Sequence, residues 1–252
     1  MATLQNKKVV VVGGSSGIGF AVALGALQSL ASLVIIASSN KARVEDAVAR
    51  LKAHNLPGEI RGEVLDAKDS DAVKAFAVAL GAVDHIVWTS GDVPKAELGG
   101  PSGPFSIADS VDKGQGLFTI RFWGPFIVAK HAKFNPGGSL TLTSGRSNVL
   151  RPFPGGALGS SVATALEGLT RGLAVDIAPV RVNLICPGLI NTELIEKMFG
   201  EHKDHITKTY VEKILMKRGG DPSECAEAYL FVMKCGYITG QKIDVEGGYL
   251  LI

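Results

Sequence analysis

The stretch Lys8-Val9-Val10-Val11-Val12-Gly13-Gly14-Ser15-Ser16-Gly17-Ile18-Gly19 decides the fold. A β-branched run stopped by glycine reads as a fully buried parallel strand over 8–12, and the Ala/Leu-rich residues after it read as a helix over 17–30. The glycines fall where such a junction needs them. Gly13 permits the tight turn, Gly17 lets backbone N–H groups approach a pyrophosphate, and Gly19 allows the helix to pack closely on the sheet. The helix N-terminus then faces the negative charge. A glycine trio alone is weak evidence, because loops are rich in glycine. Its place between a Val-rich strand and an Ala/Leu helix makes Gly13, Ser15, Ser16, Gly17, Ile18 and Gly19 a nucleotide-binding turn.

Outward from this junction the same alternation continues. Leu33-Val34-Ile35-Ile36-Ala37 is a second buried strand. Helices follow near 41–54, 69–80, 109–133 and 157–178, around 192–215, and at 222–234, with strands near 59–65, 84–88, 138–143, 181–185 and 241–245. Repeated strand–helix alternation implies right-handed crossovers and a parallel sheet covered on both faces. The expectation is one doubly wound α/β domain over 1–252, of Rossmann type, with about seven strands. The Gly/Pro-rich stretch from Leu98 to Pro104 reads as a surface loop inside that domain, not a linker. The polar segment 189–217, with Glu193, Glu196, Lys197, Glu201 and Lys203, reads as a lid over the carboxyl ends of the strands.

Composition excludes several classes. The chain has 252 residues, 46% of them apolar and 20% charged, with 31 glycines and a net charge of +2. Mean hydropathy of +0.24 rules out disorder, which needs low hydrophobicity and high net charge. No basic block marks a nucleic-acid partner. Cys186, Cys225 and Cys235 are too few and too scattered for a disulfide framework or a zinc site, so a reducing, cytoplasmic compartment and no metal are expected. No charged residue lies between Lys8 and Lys41, yet glycines and serines break that stretch well short of the ~20 apolar residues a membrane span requires. The N-terminus runs straight into a strand pattern and shows no signal-peptide core. A soluble protein with a small-molecule substrate is the expectation.

Several segments resemble the short-chain dehydrogenase/reductases over essentially the whole length. The glycine turn matches their first motif, with Val12 where threonine is usual. Leu65-Asp66-Ala67 is similar to the family's adenine contact. Thr89-Ser90-Gly91 stands where Asn-Ala-Gly usually ends the fourth strand. The segment from Arg181 to Pro187 and Gly188, followed by Ile190 and Thr192, resembles the loop that holds the nicotinamide amide. Ile238 to Gly248 resembles the C-terminal strand. The resemblance implies a nicotinamide cofactor, and a homodimer or homotetramer formed through the long helices near 109–133 and 157–178.

The end of the second strand bears on which cofactor. An Asp or Glu there would bind the 2′-hydroxyl of NAD and repel a 2′-phosphate. This chain has Ser38-Ser39-Asn40-Lys41-Ala42-Arg43 instead. Hydroxyls can donate to phosphate and the two cations can supply charge, which favours NADP(H). The ordinary alternative is that Lys41 and Arg43 merely decorate an exposed helix start. The arginine common in NADP-type members would fall at Ser39, so the phosphate grip differs from the usual one.

The reacting end departs from the family. The resemblance implies a Ser, a Tyr and a Lys four residues after that Tyr, supported by an upstream Asn. Ser144 matches the serine at the end of the fifth strand. The tyrosine position is Gly159, the lysine position Ala163 and the upstream asparagine position Arg121. Tyr210, Tyr229, Tyr237 and Tyr249 all lie beyond the helix. Reduction of a ketone creates an alkoxide that must be protonated, the tyrosine's task. A guanidinium stays protonated and cannot act as that acid, but it can stabilise developing negative charge or orient a carboxylate or amide. A cation there would be buried and costly unless an anionic group pairs with it. Reduction of an iminium gives a neutral amine and needs no acid, so the site suits reduction of an iminium or a polarised double bond, or a chemistry that uses bound substrate shape alone. Arg121 and Ser144 are therefore the catalytic candidates, although a solvated arginine and a turn-forming serine are the ordinary readings.

Other features read as structural. His202 and His205 have the spacing of a ligand pair but no third ligand, which fits a solvated lid face. Phe122, Trp123 and Phe126 suit core or subunit packing. Arg146, Asn148 and Arg151 could line a substrate mouth, and loop polarity explains them equally well. Three functions fit an intact glycine turn without the usual acid. One is an NADP(H)-dependent oxidoreductase of a small organic, secondary-metabolite substrate. The second is a biosynthetic cyclase or isomerase using the same pocket. The third is an inactive NADP-binding protein.

Overall fold

The structure, a computed structural model, describes residues 3–91, 111–145, 156–200 and 203–252. Seven parallel strands form one sheet: β1 (Lys8–Val12), β2 (Leu33–Ser38), β3 (Glu59–Val64), β4 (Ala82–Trp88), β5 (Lys133–Thr143), β6 (Arg181–Pro187) and β7 (Lys242–Val245). Their order is β3-β2-β1-β4-β5-β6-β7, so the chain reverses direction across the sheet between β1 and β4. Helices α1 (Gly17–Gln28), α2 (Lys41–Ala53), α3 (Ser70–Ala79), α4 (Val111–Phe118), α5 (Gly124–His131), α6 (Ala157–Asp176), α7 (Glu193–Phe199), α8 (Lys203–Lys213) and α9 (Pro222–Lys234) cover it. The doubly wound expectation holds. The Leu98–Pro104 loop lies outside the described residues.

Alternation along β1 builds both layers. Val10 and Val12 join one apolar cluster with Ile86, Trp88, Leu140 and Val162. Val9 and Val11 join the other with Val22, Leu27, Tyr229 and Leu230. A strand buried on both faces needs apolar residues at every position, which is why β1 carries an unbroken valine run. Caps fix the helix starts. The Asn40 side chain accepts from Arg43 N–H at 3.0 Å, and Asp69 accepts from the amides of Asp71 and Ala72. Asp221 and Glu224 form a reciprocal capping box on α9.

Three expected boundaries move. Strand β5 begins at Lys133 rather than near 138, because pairing with β4 resumes after a bulge: Phe134 faces Val83, Ser139 faces His85, and residues 135–138 loop out between them. The segment 192–215 is two helices, α7 and α8, separated by Gly200 at φ +48°. The helix expected over 109–133 is interrupted by a π-helical turn, Thr119–Trp123, between α4 and α5. The indole N–H of the fully buried Trp88 donates to the Ile120 carbonyl at 3.0 Å, occupying a group in that irregular turn. Such insertions recur at functional sites.

A buried polar layer lies on the α9 side. The Arg181 guanidinium donates to the carbonyls of Val232, Met233 and Cys235, at the C-terminal end of α9. Asn183 donates to Ile238 and accepts from Gln241 N–H. The early part of the Arg181–Gly188 motif is thus structural, fastening α9 and the chain entering β7.

Candidate active site

The glycine turn follows β1 between the carboxyl ends of β2 and β4, and the Gly13 N–H donates to the Ala37 carbonyl at 2.8 Å. Gly13 has φ +93°, and a side chain there would press on Ser90 N and Thr89 Oγ1 at 2.6 Å. A Cβ at Gly19 would run into the Gly13 carbonyl oxygen and stand 2.5 Å from Thr89 Oγ1. Thr89 ties the arrangement together, since both its amide and its hydroxyl donate to the Val12 carbonyl, at 2.8 and 3.0 Å. Gly17, at φ +52°, faces Thr192 Cγ2 and the Glu193 carboxylate, 3.1 and 3.6 Å from where its Cβ would be. Ser16 caps α1 with extended backbone and no side-chain hydrogen bond, leaving the first amides of the helix uncapped by that side chain. A turn with glycine at 13, 14 and 17, at a helix N-terminus without a side-chain cap, fits the pyrophosphate of a dinucleotide.

The remaining cofactor candidates line the same edge. Asp66 is exposed just past β3, where one carboxylate oxygen accepts from Lys68 N–H at 3.0 Å. Ala67 is buried beside it. Ser38 ends β2 half-buried, and Ser39, Asn40, Lys41 and Arg43 are exposed. Asn40 has a structural task as the α2 cap, and Lys41 lies 3.8 Å from Glu45. Pro187 ends β6, Gly188 packs against Glu246, and Ile190 bridges to Gly220. Thr192 then starts α7 directly over Gly17.

The reacting end differs in kind. Arg121 projects from the π-helical turn, and a Cβ at Gly91 would stand 2.5 Å from its guanidinium carbon, so Arg121 packs flat against the end of β4. It is half-buried rather than fully buried, which lowers the desolvation cost expected for a cation in this place. Ser144 is 7% exposed, and its hydroxyl donates to the Ala163 carbonyl across 3.4 Å. The position where the family's lysine is expected is thus a buried alanine whose backbone receives the serine. Gly159 lies on the same helix. Arg146, Asn148, Arg151 and His202 lie outside the described residues, and His205 is exposed. No group of three His, Cys, Asp or Glu suited to a metal occurs among the described residues.

Two neighbours escaped the sequence reading. Tyr229, on α9, brings its hydroxyl within 2.8 Å of Thr143 Oγ1, one residue before Ser144. Burial pushes this phenol well above its usual range, so it stays neutral. Its position nearly ninety residues downstream gave no local signal. Arg50, on α2, reaches the glycine turn, which only the packing of α2 against α1 brings about. Phe122, Trp123 and Phe126 form an edge-to-face row, with Trp123 43% exposed.

A family model described as an SDR-like Rossmann domain matches residues 1–252. The chain belongs to the short-chain dehydrogenase/reductase family. It is an enzyme of the oxidoreductase class. The short-chain dehydrogenase/reductase ucsE of Acremonium sp is 38% identical over 266 residues, covering 98% of this chain and 97% of that protein. The solved structure of the MalC reductase/Diels-Alderase from Malbranchea aurantiaca superposes with a TM-score of 0.89 at 32% identity, over 99% of this chain and 98% of that one. A small-chain dehydrogenase solved in complex with NADPH superposes with a TM-score of 0.76 at 30% identity, over 98% and 100% of the two chains. No helix among the described residues is long and apolar enough to cross a membrane.

Proposed function

We propose that this short-chain dehydrogenase/reductase is an NADP(H)-dependent reductase of a small secondary-metabolite substrate, reducing an iminium or a polarised double bond rather than an ordinary ketone. The observation that carries the reading is the packing of Arg121 against Gly91, where the chain has Gly159 and Ala163 in place of the family's acid and its lysine. Gly13, Ser15, Ser16, Gly17, Ile18 and Gly19 would hold the pyrophosphate. Asp66 and Ala67 would meet the adenine, and Thr89, Ser90, Gly91, Pro187, Gly188, Ile190 and Thr192 the nicotinamide half. Ser38, Ser39, Asn40, Lys41 and Arg43 would meet the 2′-phosphate, because no carboxylate stands there to repel it. When bound, the nicotinamide supplies a hydride.

The protein's own share is then positioning and charge. Arg121 would orient a carbonyl, amide or carboxylate of the substrate away from the reacting carbon, and with a polarised double bond it would also stabilise the enolate charge that hydride addition creates; an iminium develops no such charge. It supplies no proton, which restricts the substrates to those needing none from the protein at the reacting carbon. Ser144 can turn its weakly held hydroxyl toward the substrate. Residues 189–217 act as the lid, and exposed apolar residues such as Trp123 and Val175 suit a homo-oligomer formed through α4, α5 and α6. A second reading, cyclisation of a bound substrate in the same pocket, is favoured by the double name of the MalC structure.

Absorbance of NADPH at its reduced band, followed with a cyclic iminium, a polarised alkene and a matched ketone, tests the proposal. Turnover of the iminium or the alkene without the ketone supports it. Robust turnover of the ketone, or no oxidation of NADPH with any of the three, contradicts it. Calorimetric titration should show NADPH binding more tightly than NADH, and equal or reversed affinities would remove the cofactor assignment.

A further inference from the structure

Resting on the reading that a nicotinamide dinucleotide occupies the glycine turn, we propose that Arg50 is a positioning residue for the pyrophosphate. It would act by aiming a backbone amide of that turn. Arg50 sits on the third turn of α2, far from the turn in sequence, yet three contacts fix its guanidinium there. Nη2 donates to the Ser15 carbonyl at 3.2 Å. Nε meets the Asp46 carboxylate one turn earlier at 2.9 Å. The guanidinium carbon lies 4.3 Å above the centre of the Phe20 ring, on the first turn of α1. A planar guanidinium can stack and bond in its plane at once, which an ammonium cannot.

The consequence follows from the geometry of one peptide bond. In a trans peptide the C=O of one residue and the N–H of the next point in opposite directions. A Ser15 carbonyl drawn toward α2 therefore turns the Ser16 N–H away from α2, into the mouth of the turn. Ser15 is buried and Gly17, two residues on, has positive φ, so the peptide between Ser15 and Ser16 sits in a segment where glycine gives little stiffness. Ser16 makes no side-chain cap that could hold the turn instead. Arg50 thus supplies from outside the stiffness the sequence of the turn lacks. Because it binds the far side of the peptide, it serves NADPH and NADH alike.

The test is calorimetric titration of NADPH and NADH into wild type, Arg50→Ala and Arg50→Lys, with thermal unfolding of each protein alone and with saturating NADPH. Arg50→Ala should weaken both cofactors about tenfold, the loss expected for one charge-assisted contact of about 1.4 kcal/mol. The NADPH-to-NADH preference should stay unchanged, and the unfolding midpoint without cofactor should fall by about 4 °C or less, as for loss of half-exposed contacts. Arg50→Lys should recover part of the loss, since one ammonium can still reach the Ser15 carbonyl. Unchanged affinity in Arg50→Ala overturns the proposal, and so does a midpoint that falls in step with affinity, which would mark a merely structural contact. Loss for NADPH alone overturns it too, making Arg50 a direct 2′-phosphate ligand. Failure of wild type to bind either dinucleotide would instead remove the cofactor reading itself.

Discussion

The two ends of the site, the glycine turn and the region around Arg121, are built by different means. At the turn the determinants are backbone: Gly13 and Gly19 are required because the Gly13 carbonyl, the Ser90 amide and the Thr89 hydroxyl fill the space a side chain would take. At the reacting end they are side chains: Arg121 on the π-helical turn, Ser144 past β5, and the small residues that α6 carries at 159 and 163. Gly159 and Ala163 sit on an intact α6, with Ala163 and Leu166 in the core. With Gly159 and Ala163 at these two helical positions the fold superposes on that of a family member, whereas a side chain at Gly13 or Gly19 has no room.

The largest expected effect follows from that contrast. Gly19→Ala places a Cβ against the Gly13 carbonyl and Thr89, so NADPH affinity should fall by a factor on the order of 10³, a loss large enough to be diagnostic. Titration reads it. A tenfold loss or less would mean that the turn yields, weakening the contrast. By the same reasoning, Gly159→Tyr with Ala163→Lys should fold and retain NADPH binding, and should gain weak ketone reduction, followed by NADPH absorbance. Failure to fold would show that α6 does not accommodate the larger side chains at the half-buried Gly159 and the buried Ala163.

The next effect belongs to the layer beneath both ends. His85 Nδ1 pairs with Ser139 Oγ at 2.8 Å, and burial, helped by the Arg181 charge, lowers its pKa to about 4. In the unfolded chain the imidazole titrates near 6.5, so below that pH the unfolded state binds more protons. The contribution is complete above about pH 6.5 and is lost as pH falls toward 4, by up to about 3 kcal/mol. Urea unfolding of wild type and His85→Asn from pH 7 to 4 checks it, the variant showing a flatter profile. The smallest effect separates capping from phosphate contact at α2. Asn40→Ala should cost about 1 kcal/mol of stability in urea unfolding, as for a lost N-cap. A marked loss of NADPH affinity in the same variant would instead give Asn40 to the cofactor.

The fold was legible because β1 must be apolar on both faces and the glycine turn admits few alternatives. The shape of the glycine turn was legible for the same steric reason, and Thr192 lies over Gly17. The reacting end was legible only as an absence, in Gly159 and Ala163. What replaces the missing groups depends on packing between distant segments. The π-helical turn that sets the direction of Arg121 answers to Trp88, and the shape of the glycine turn answers to Arg50, with no periodicity or spacing to announce either. Ser144 was expected from its place after β5, yet its bond to the Ala163 backbone carbonyl joins segments nineteen residues apart and has no signature in the sequence.

The central claim is that cofactor binding was kept while the reacting end was rebuilt around Arg121. The measurement that tests it most directly compares wild type with Arg121→Ala, for NADPH affinity by calorimetry and for NADPH oxidation with a cyclic iminium. The account predicts that affinity stays within about threefold, while turnover falls by a factor on the order of 10², as for loss of a group that orients the substrate. Arg121→Lys should rescue only partly, because a point charge does not reproduce a planar fork. Full turnover in Arg121→Ala would contradict the account and leave Arg121 as a structural residue against Gly91.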